Sequence, residues 1–286
     1  MSVREIGFGF SPCPNDTFAF YAATHGLVDT GGWRLRPEMA DVEELNRRAL
    51  AGELELTKLS FPALGRCLDR YGLLRAGAAL GRGCGPLVVC RPGFDLERLD
   101  SVTVAVPGFN TTAFLLLSLY LGQAPQARAM VFDQIMPAVA RGEFEAGLII
   151  HEGRFTYGGH GLAAPVDLGA WWEQTSGLPI PLGCIAARRD LGPEAAHRLE
   201  EILAASVAHA QAHTLASQEF VLAHAQELEP QVVASHIGLY VNDFSRDLGS
   251  QGLAAVEELL ARGRGVGLLP SAPNALLAGQ EIFLTP

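Results

Sequence analysis

Predicted strands and helices alternate along this chain, and the alternation limits the available folds more than any other feature. Between residues 101 and 150, SVTVAVPG, ARAMVF and EAGLII are predicted strands, separated by the predicted helices TTAFLLLSLYLG and DQIMPAVARGE. A comparable series occupies residues 3–70. Because parallel neighbouring strands need a crossover helix between them, the pattern predicts an α/β fold with mostly parallel sheets.

Two apolar, strand-like segments, residues 86–94 and 181–189, connect the two series. They indicate a two-lobed architecture with a double crossover. We predict a larger discontinuous lobe of residues 1–94 and 181–286, with a smaller lobe of residues 95–180 inserted into it. Folds of this kind bind ligands between the lobes, beyond the carboxyl ends of the strands. A ligand cleft is therefore expected there.

Composition restricts the class of function. The chain has 286 residues and a formal charge of −10, and its Lys and Arg residues form no basic stripe, which argues against a nucleic-acid partner. MSVREIGFGF lacks the features of a signal peptide, and no apolar run reaches the length of about 18 residues that a membrane span needs. We expect a cytoplasmic protein without a membrane partner. Five cysteines without C-x-x-C spacing predict reduced thiols.

Four polar clusters follow the ends of predicted strands. They lie at residues 11–17, 58–60, 110–112 and 151–152. Since the carboxyl ends of neighbouring strands meet at one edge of a sheet, we expect all four clusters at the same rim of the cleft.

The first cluster is SPCPNDT, where a strand turns sharply into a helix. Prolines fix φ in such a turn, and Asn15, Asp16 and Thr17 are candidates to cap the helix and bind a ligand beside its free N–H groups. A rigid turn with ordinary capping accounts equally well for Asp16 and Thr17. Cys13 is better interpreted as a small buried group than as a nucleophile, because nothing in the sequence indicates a lowered thiol pKa.

The next two clusters place polar groups at the starts of helices. Asn110, Thr111 and Thr112 open an apolar helix, where hydroxyls beside free N–H groups suit a carboxylate or a polyol. Capping alone would also explain the two threonines. In KLSF, Lys58 can attract an acidic substrate, and Ser60 is a candidate hydrogen-bond donor because no G-x-S-x-G elbow surrounds it.

His151 follows the apolar strand EAGLII directly. An imidazole with an ordinary pKa of about 6.5 exchanges a proton at neutral pH, and a position facing a cleft favours a catalytic role as strongly as a structural one. Glu152 either orients it or is simply exposed. The histidines on helices, including His236, are expected to be solvated or packed. No metal is expected, because no second His or Cys pair accompanies His151 in sequence.

Several segments, in order, resemble the 1,4-dihydroxy-6-naphthoate synthase family of the futalosine route to menaquinone. They are SPCPNDTFAFYA, LTKLSF, VPGFNTTAFLLLSLY, GEFEAGLIIHEGRFTY and VDLGAWWEQTSGLPIPLG. The resemblance implies a periplasmic-binding-protein-like (type II) fold and a carbon–carbon lyase without a cofactor. Its substrate would be cyclic dehypoxanthinyl futalosine, and its products 1,4-dihydroxy-6-naphthoate and dihydroxyacetone.

The resemblance also implies roles for individual residues. His151 would be the proton acceptor. Contacts to a small-molecule carboxylate substrate would come from Lys58, Leu59 and Ser60 and from the pair Thr111 and Thr112, whereas Asn110 matches the family pattern less well. The oligomeric state does not follow from the sequence.

Two other functions share the predicted fold. A non-catalytic binding protein for small carboxylates would bind its ligand tightly and leave it unchanged, but such proteins usually carry an export signal. A chorismate dehydratase-like sister enzyme would also take a carboxylate substrate, and only the family resemblance argues against it. A ligand-sensing regulator would need a basic recognition helix, which the sequence lacks.

Overall fold

The computed structural model describes residues 3–226 and 229–271. The predicted larger lobe extends to residue 286, so residues 272–286 lie outside the described part. The described strands are β1 (Arg4–Phe10), β2 (Trp33–Met39), β3 (Leu56–Ser60), β4 (Tyr71–Leu73), β5 (Ala79–Gly81), β6 (Leu87–Cys90), β7 (Val104–Val106), β8 (Ala127–Ala129), β9 (Ala146–Ile149), β10 (Ala163–Asp167) and β11 (Ile180–Arg188).

Helices alternate with the strands from β1 to β4 and from β7 to β11, which includes the two series predicted at residues 3–70 and 101–150. The described helices are α1 (Pro14–Thr24), α2 (Val42–Ala51), α3 (Phe61–Arg66), α4 (Thr112–Leu121), α5 (Phe132–Ala140), α6 (Gly153–Thr156), α7 (Leu168–Ser176), α8 (Pro193–Ala212), α9 (Gln218–His224), α10 (Pro230–Tyr240), α11 (Asp243–Arg246) and α12 (Gly249–Gly265). Among the described residues, no helix combines the length and the apolar character that a membrane crossing requires.

The strands form two mixed sheets. The first has the order β2-β1-β3-β11-β4, with β5 also paired to β11, and the second has the order β10-β6-β9-β7-β8. Pairs such as β1 with β3 and β7 with β9 are parallel, but β11 is antiparallel to its partners and β6 is antiparallel to β9 and β10. The prediction of mostly parallel sheets is therefore wrong. The chain passes between the sheets at β6 and β11, and antiparallel neighbours need no crossover helix.

Strand β3, in the middle of the first sheet, is buried although three of its five residues, Thr57, Lys58 and Ser60, are polar. Every residue of β3 is buried between β1 and β11. A single apolar cluster joins the two sheets: it includes Leu59 of β3, Leu116 of α4, Leu148 of β9 and Val256 of α12. This packing holds the carboxyl ends of β3 and β9 near each other.

The lobe boundaries at residues 94/95 and 180/181 remain a prediction. Strand pairing groups residues 4–81 and 180–188 in the first sheet and residues 87–167 in the second. The second sheet thus begins at β6, inside the segment that the prediction assigns to the larger lobe.

The start of α1 differs from the prediction. The helix begins at Pro14, and Cys13 is the cap residue, with no side-chain capping bond. Asn15, Asp16 and Thr17 lie inside the first turn instead, and the N–H groups of Asp16 and Thr17 both donate to the Cys13 carbonyl at 3.1 Å. Proline at the first helical position has no N–H to satisfy, so the helix starts before the polar residues that were expected to cap it.

Candidate active site

A cavity of about 570 Å³, including its open mouth, lies between the two sheets. Apolar groups such as Val42, Leu182 and Tyr240 form part of its wall. Six of the residues predicted from the sequence also line it: Asn15, Lys58, Ser60, Thr111, Thr112 and His151. The structure therefore brings members of all four strand-end clusters to one site, of a size typical for a small-molecule ligand.

The other four predicted residues do not line this cavity. Leu59 packs in the apolar core, as expected for an inward-facing strand residue between Lys58 and Ser60. Thr17 is buried in α1 and its hydroxyl donates to the Cys13 carbonyl at 3.1 Å. Asp16 is hydrogen-bonded to the lining residues Asn15 and Lys58, and Asn110 directly precedes the lining residue Thr111.

Asp16 forms the centre of a buried polar network. Its Oδ2 accepts from the Ser11 hydroxyl at 2.7 Å, and its Oδ1 accepts from Asn15 Nδ2 at 2.8 Å and from the Lys58 ammonium. The Asp16 carboxylate is only 1% exposed, so the opposite charge of Lys58 is needed to offset its desolvation. The pair also fixes the direction in which Lys58 approaches the cavity.

Ser60 and the two threonines differ in the hydrogen bonds that they leave for a ligand. Ser60 Oγ accepts from Asn46 Nδ2 at 3.1 Å, which leaves its hydroxyl proton to donate. Thr112 already donates to the Leu182 carbonyl, so its oxygen can only accept. Thr111 donates to the Gly108 carbonyl at 2.8 Å and caps α4 by accepting from Phe114 N–H at 3.2 Å.

The first turn of α4 completes this side of the cavity. Thr112 and Ala113 line it, and the first amides of a helix have no partner within the helix. The partial positive charge of the helix N-terminus therefore faces the site. This arrangement suits a carboxylate.

His151 lies directly after β9 with a backbone φ of 55°, and among the described residues other than glycine it alone has a positive φ. Its ring packs edge-on against Phe132 at a centroid distance of 5.2 Å. Burial lowers the pKa of the imidazole to about 4; the Asp16 carboxylate opposes this shift and the Lys58 ammonium adds to it. The ring is thus neutral at pH 7 and can accept a proton.

His236 lies behind His151, and sequence reasoning missed it. It is fully buried on α10, its Nε2 lies 2.8 Å from Asn15 Oδ1, and its ring is stacked on His151 at a centroid distance of 6.0 Å. His236 is packed, as expected for a histidine on a helix, but its hydrogen bond to Asn15 was not predicted. The pattern of α10 gives no signal for it, because Asn15 is 221 positions away in sequence.

Cys13, His151 and Glu152 are the described residues that could hold a metal ion. Each offers one ligand atom, and these atoms all lie within 4.8 Å of one another. Burial raises the pKa of the Cys13 thiol well above its ordinary value, with the nearby Glu152 carboxylate adding to the shift. A metal at these three residues would have to displace the Cys13 proton, which the raised pKa makes less favourable.

The fold and the site together define a class. Two mixed sheets enclose a cleft in which a buried ion pair, a helix N-terminus and a neutral histidine converge on one cavity. This is a two-lobed α/β fold with a ligand-sized cavity between its sheets and a histidine in the wall of that cavity.

Comparisons with known proteins give the family. The sequence profile of the menaquinone biosynthesis family matches residues 6–264. A curated 1,4-dihydroxy-6-naphthoate synthase from Thermus thermophilus is 53% identical over 274 residues, covering 96% of this chain and 99% of that protein. A curated protein of the same name from Streptomyces coelicolor is 47% identical over 282 residues, with the same coverage. The chain belongs to the menaquinone biosynthesis family.

Solved structures agree on the fold. A protein from Archaeoglobus fulgidus superposes with a TM-score of 0.87 at 36% identity, covering 93% of this chain and 98% of that one. A Candida albicans protein described as having the generic periplasmic binding protein fold superposes with a TM-score of 0.71 at 11% identity, covering 99% of this chain and 96% of that one. The alkanesulfonate-binding protein of Xanthomonas axonopodis superposes with a TM-score of 0.69 at 13% identity, covering 95% of this chain and 96% of that one. The last two bear on the fold alone, and the predicted periplasmic-binding-protein-like fold is confirmed.

Proposed function

We propose that this protein is a cytoplasmic carbon–carbon lyase that converts cyclic dehypoxanthinyl futalosine to 1,4-dihydroxy-6-naphthoate and releases dihydroxyacetone. Family membership and the names of the two curated relatives support the reaction. The observation in this chain that carries the proposal is His151, a neutral imidazole held at the wall of the inter-sheet cavity.

His151 acts as the general base. Its ring accepts the proton of a hydroxyl on the sugar-derived part of the substrate. The neighbouring C–C bond then breaks in a retro-aldol-like step: that hydroxyl oxygen becomes the carbonyl of the three-carbon product, and the electron pair of the bond stays with the ring system. Formation of the aromatic ring from that fragment supplies driving force. With a pKa of about 4 the ring is unprotonated at neutral pH and available as an acceptor, although it is a weaker base than one whose pKa matches the operating pH.

Other residues that line the same cavity hold the substrate carboxylate. Lys58 supplies a positive charge, Ser60 a hydroxyl proton and the first turn of α4 its partial positive charge. Fixing the carboxylate there holds the reacting hydroxyl in one position relative to His151. Proton transfer by His151 and binding of the carboxylate thus take place within a single cavity.

Direct observation of the products tests this proposal. The purified protein is incubated with cyclic dehypoxanthinyl futalosine, and mass spectrometry follows the naphthoate and the three-carbon product, with a protein-free incubation as the control. Both products should form together without an added cofactor. Substrate that is bound but recovered unchanged would favour the binding-protein alternative, and turnover of chorismate instead would favour the sister enzyme.

A further inference from the structure

His236 contacts the wall of the active site without lining the cavity itself. Its side chain is 0% exposed, whereas Asn15, to which it is hydrogen-bonded, lines the cavity. A group that cannot reach the substrate acts through a neighbour. We propose that His236 is a positioning residue, which fixes the side-chain amide of Asn15 and thereby the polar group that the cavity presents; this rests on the proposed function.

The hydrogen bonds that connect Asp16, Asn15 and His236 allow only one placement of their protons. The Asp16 carboxylate, which pairs with Lys58, can only accept, so the Asn15 atom 2.8 Å from its Oδ1 must be the donor Nδ2. Asn15 Oδ1 therefore faces His236 as an acceptor. The His236 Nε2, at 2.8 Å, must carry the proton that it accepts.

The other ring nitrogen of His236 has the opposite character. Burial lowers the pKa of His236 well below its ordinary value, with His151 and Lys58 adding to the shift, so the ring is neutral. A neutral ring with its proton on Nε2 has a bare lone pair on Nδ1. Within the described residues Nδ1 has no hydrogen-bond partner, and it lies 3.5 Å from Glu152 Oε2.

The amide of Asn15 is thus held from both sides. Asp16 fixes its Nδ2, His236 fixes its Oδ1, and the second Nδ2 proton is left for a ligand. Without the imidazole, the buried carbonyl oxygen loses its donor and the amide is free to turn. The polar network that begins at Lys58 therefore ends at α10, a helix from the C-terminal part of the chain.

Two substitutions distinguish the role of Nε2 from that of Nδ1 in His236, because each places an amide group at the position of one ring nitrogen. The amide nitrogen of glutamine reaches the place of Nε2, so His236→Gln keeps the donor to Asn15, whereas the amide of asparagine reaches only the place of Nδ1. We expect His236→Gln to retain kcat/KM within about threefold and His236→Asn to lower it about tenfold or more, as loss of a buried hydrogen bond at a binding group does. Equal losses, or no loss in either variant, would overturn the proposal.

Controls separate positioning from general destabilisation. His224, on α9, bonds a backbone carbonyl of its own helix, so His224→Gln and His224→Asn should leave kcat/KM unchanged. Thermal unfolding selects variants that remain folded at the assay temperature. Because His236 acts through Asn15, His236→Asn added to Asn15→Ala should lower kcat/KM no further than Asn15→Ala alone. Additive losses would contradict the proposed route.

A measurement without substrate tests the same assignment. Long-range proton–nitrogen NMR of protein labelled at histidine nitrogens should show His236, identified by the signal lost in His236→Gln, as the neutral tautomer protonated at Nε2. The tautomer protonated at Nδ1, or a charged ring, would overturn it. If the wild-type protein forms no product, the proposed function fails, and the NMR result still decides whether His236 holds Asn15 in the stated orientation.

Discussion

At the scale of single residues, the backbone of His151 is the least expected feature of the site. A φ of 55° is a region that side chains other than glycine rarely occupy, and it costs about 1–2 kcal/mol. The position follows β9 directly, where the chain must turn to place the imidazole in the cavity. The backbone strain at His151 thus results from placing its imidazole ring in the cavity.

Substitutions at His151 separate this backbone strain from the chemistry. Glycine adopts a positive φ freely and alanine does not, so His151→Gly should be more stable than His151→Ala by about 1 kcal/mol. Urea unfolding of the two variants measures the difference. Equal stabilities would mean that the turn relaxes when the imidazole is removed.

The lowered pKa of His151 sets the acidic limit of activity. The base must be neutral, and burial holds its pKa near 4, so kcat/KM should stay level as the pH falls through about 6.5 and decline only near pH 4. A pH profile of kcat/KM with a stable buffer series measures this. A decline near pH 6.5, in a protein that remains folded there, would contradict the buried environment.

Cys13, His151 and Glu152 give a prediction about metals. Because burial keeps the Cys13 thiol protonated, extended dialysis against a chelator should leave turnover unchanged. The control is the same dialysis followed by addition of zinc. Loss of activity that zinc restores would show that the three donors hold a metal.

At the scale of elements, α4 illustrates how a residue predicted for binding also builds the fold. Thr111 caps this helix through its hydroxyl, and Gly122 ends it in a left-handed conformation. Replacing Thr111 with alanine should lower the free energy of unfolding by about 1 kcal/mol, whereas serine keeps the capping oxygen and most of the stability. Urea unfolding distinguishes them; similar losses in both variants would assign the effect to the methyl group instead.

Local patterns predicted most elements. The apolar runs and turn residues around β3, α4 and β9 identify these elements in sequence, and position at strand ends identified six residues of the cavity. Two features did not follow. The cap of α1 depends on where Pro14 starts the helix, and the role of His236 depends on a hydrogen bond to Asn15 that only tertiary folding creates. Local patterns carry no information about such distant pairs.

At the scale of the whole molecule, hydrogen bonds between Asn110 and Glu43 join two helices that line the cleft, α4 and α2. We call this pair of residues the clasp. Asn110, before α4, donates through Nδ2 to Glu43 Oε1 of α2 at 2.8 Å and through its N–H to the same carboxyl group. Gly108 makes the approach possible, since a Cβ there would lie 2.4 Å from a Glu43 carbon. Burial raises the pKa of Glu43, while bonds from Asn46 and Asn110 oppose the shift.

The clasp predicts an effect on substrate retention. Asn110→Ala and Glu43→Ala should each raise KM about tenfold with a smaller change in kcat, and the double variant should add little, because both remove the same contact. Glu44→Ala is the matched control, since Glu44 is on the same helix and bonds Arg47 at its surface. The clasp would have no role if Glu44→Ala had the same effect, or if neither clasp variant changed KM.

The proposed reaction depends on His151 as the base in the inter-sheet cavity. Product formation from cyclic dehypoxanthinyl futalosine by His151→Asn, compared with the wild-type protein in the same mass-spectrometric assay, tests this most directly. Asparagine keeps a polar side chain but accepts no proton, so we expect turnover to fall by about 10²–10⁴-fold in a protein that still binds the substrate. Turnover within a few-fold of the wild type would exclude His151 as the base.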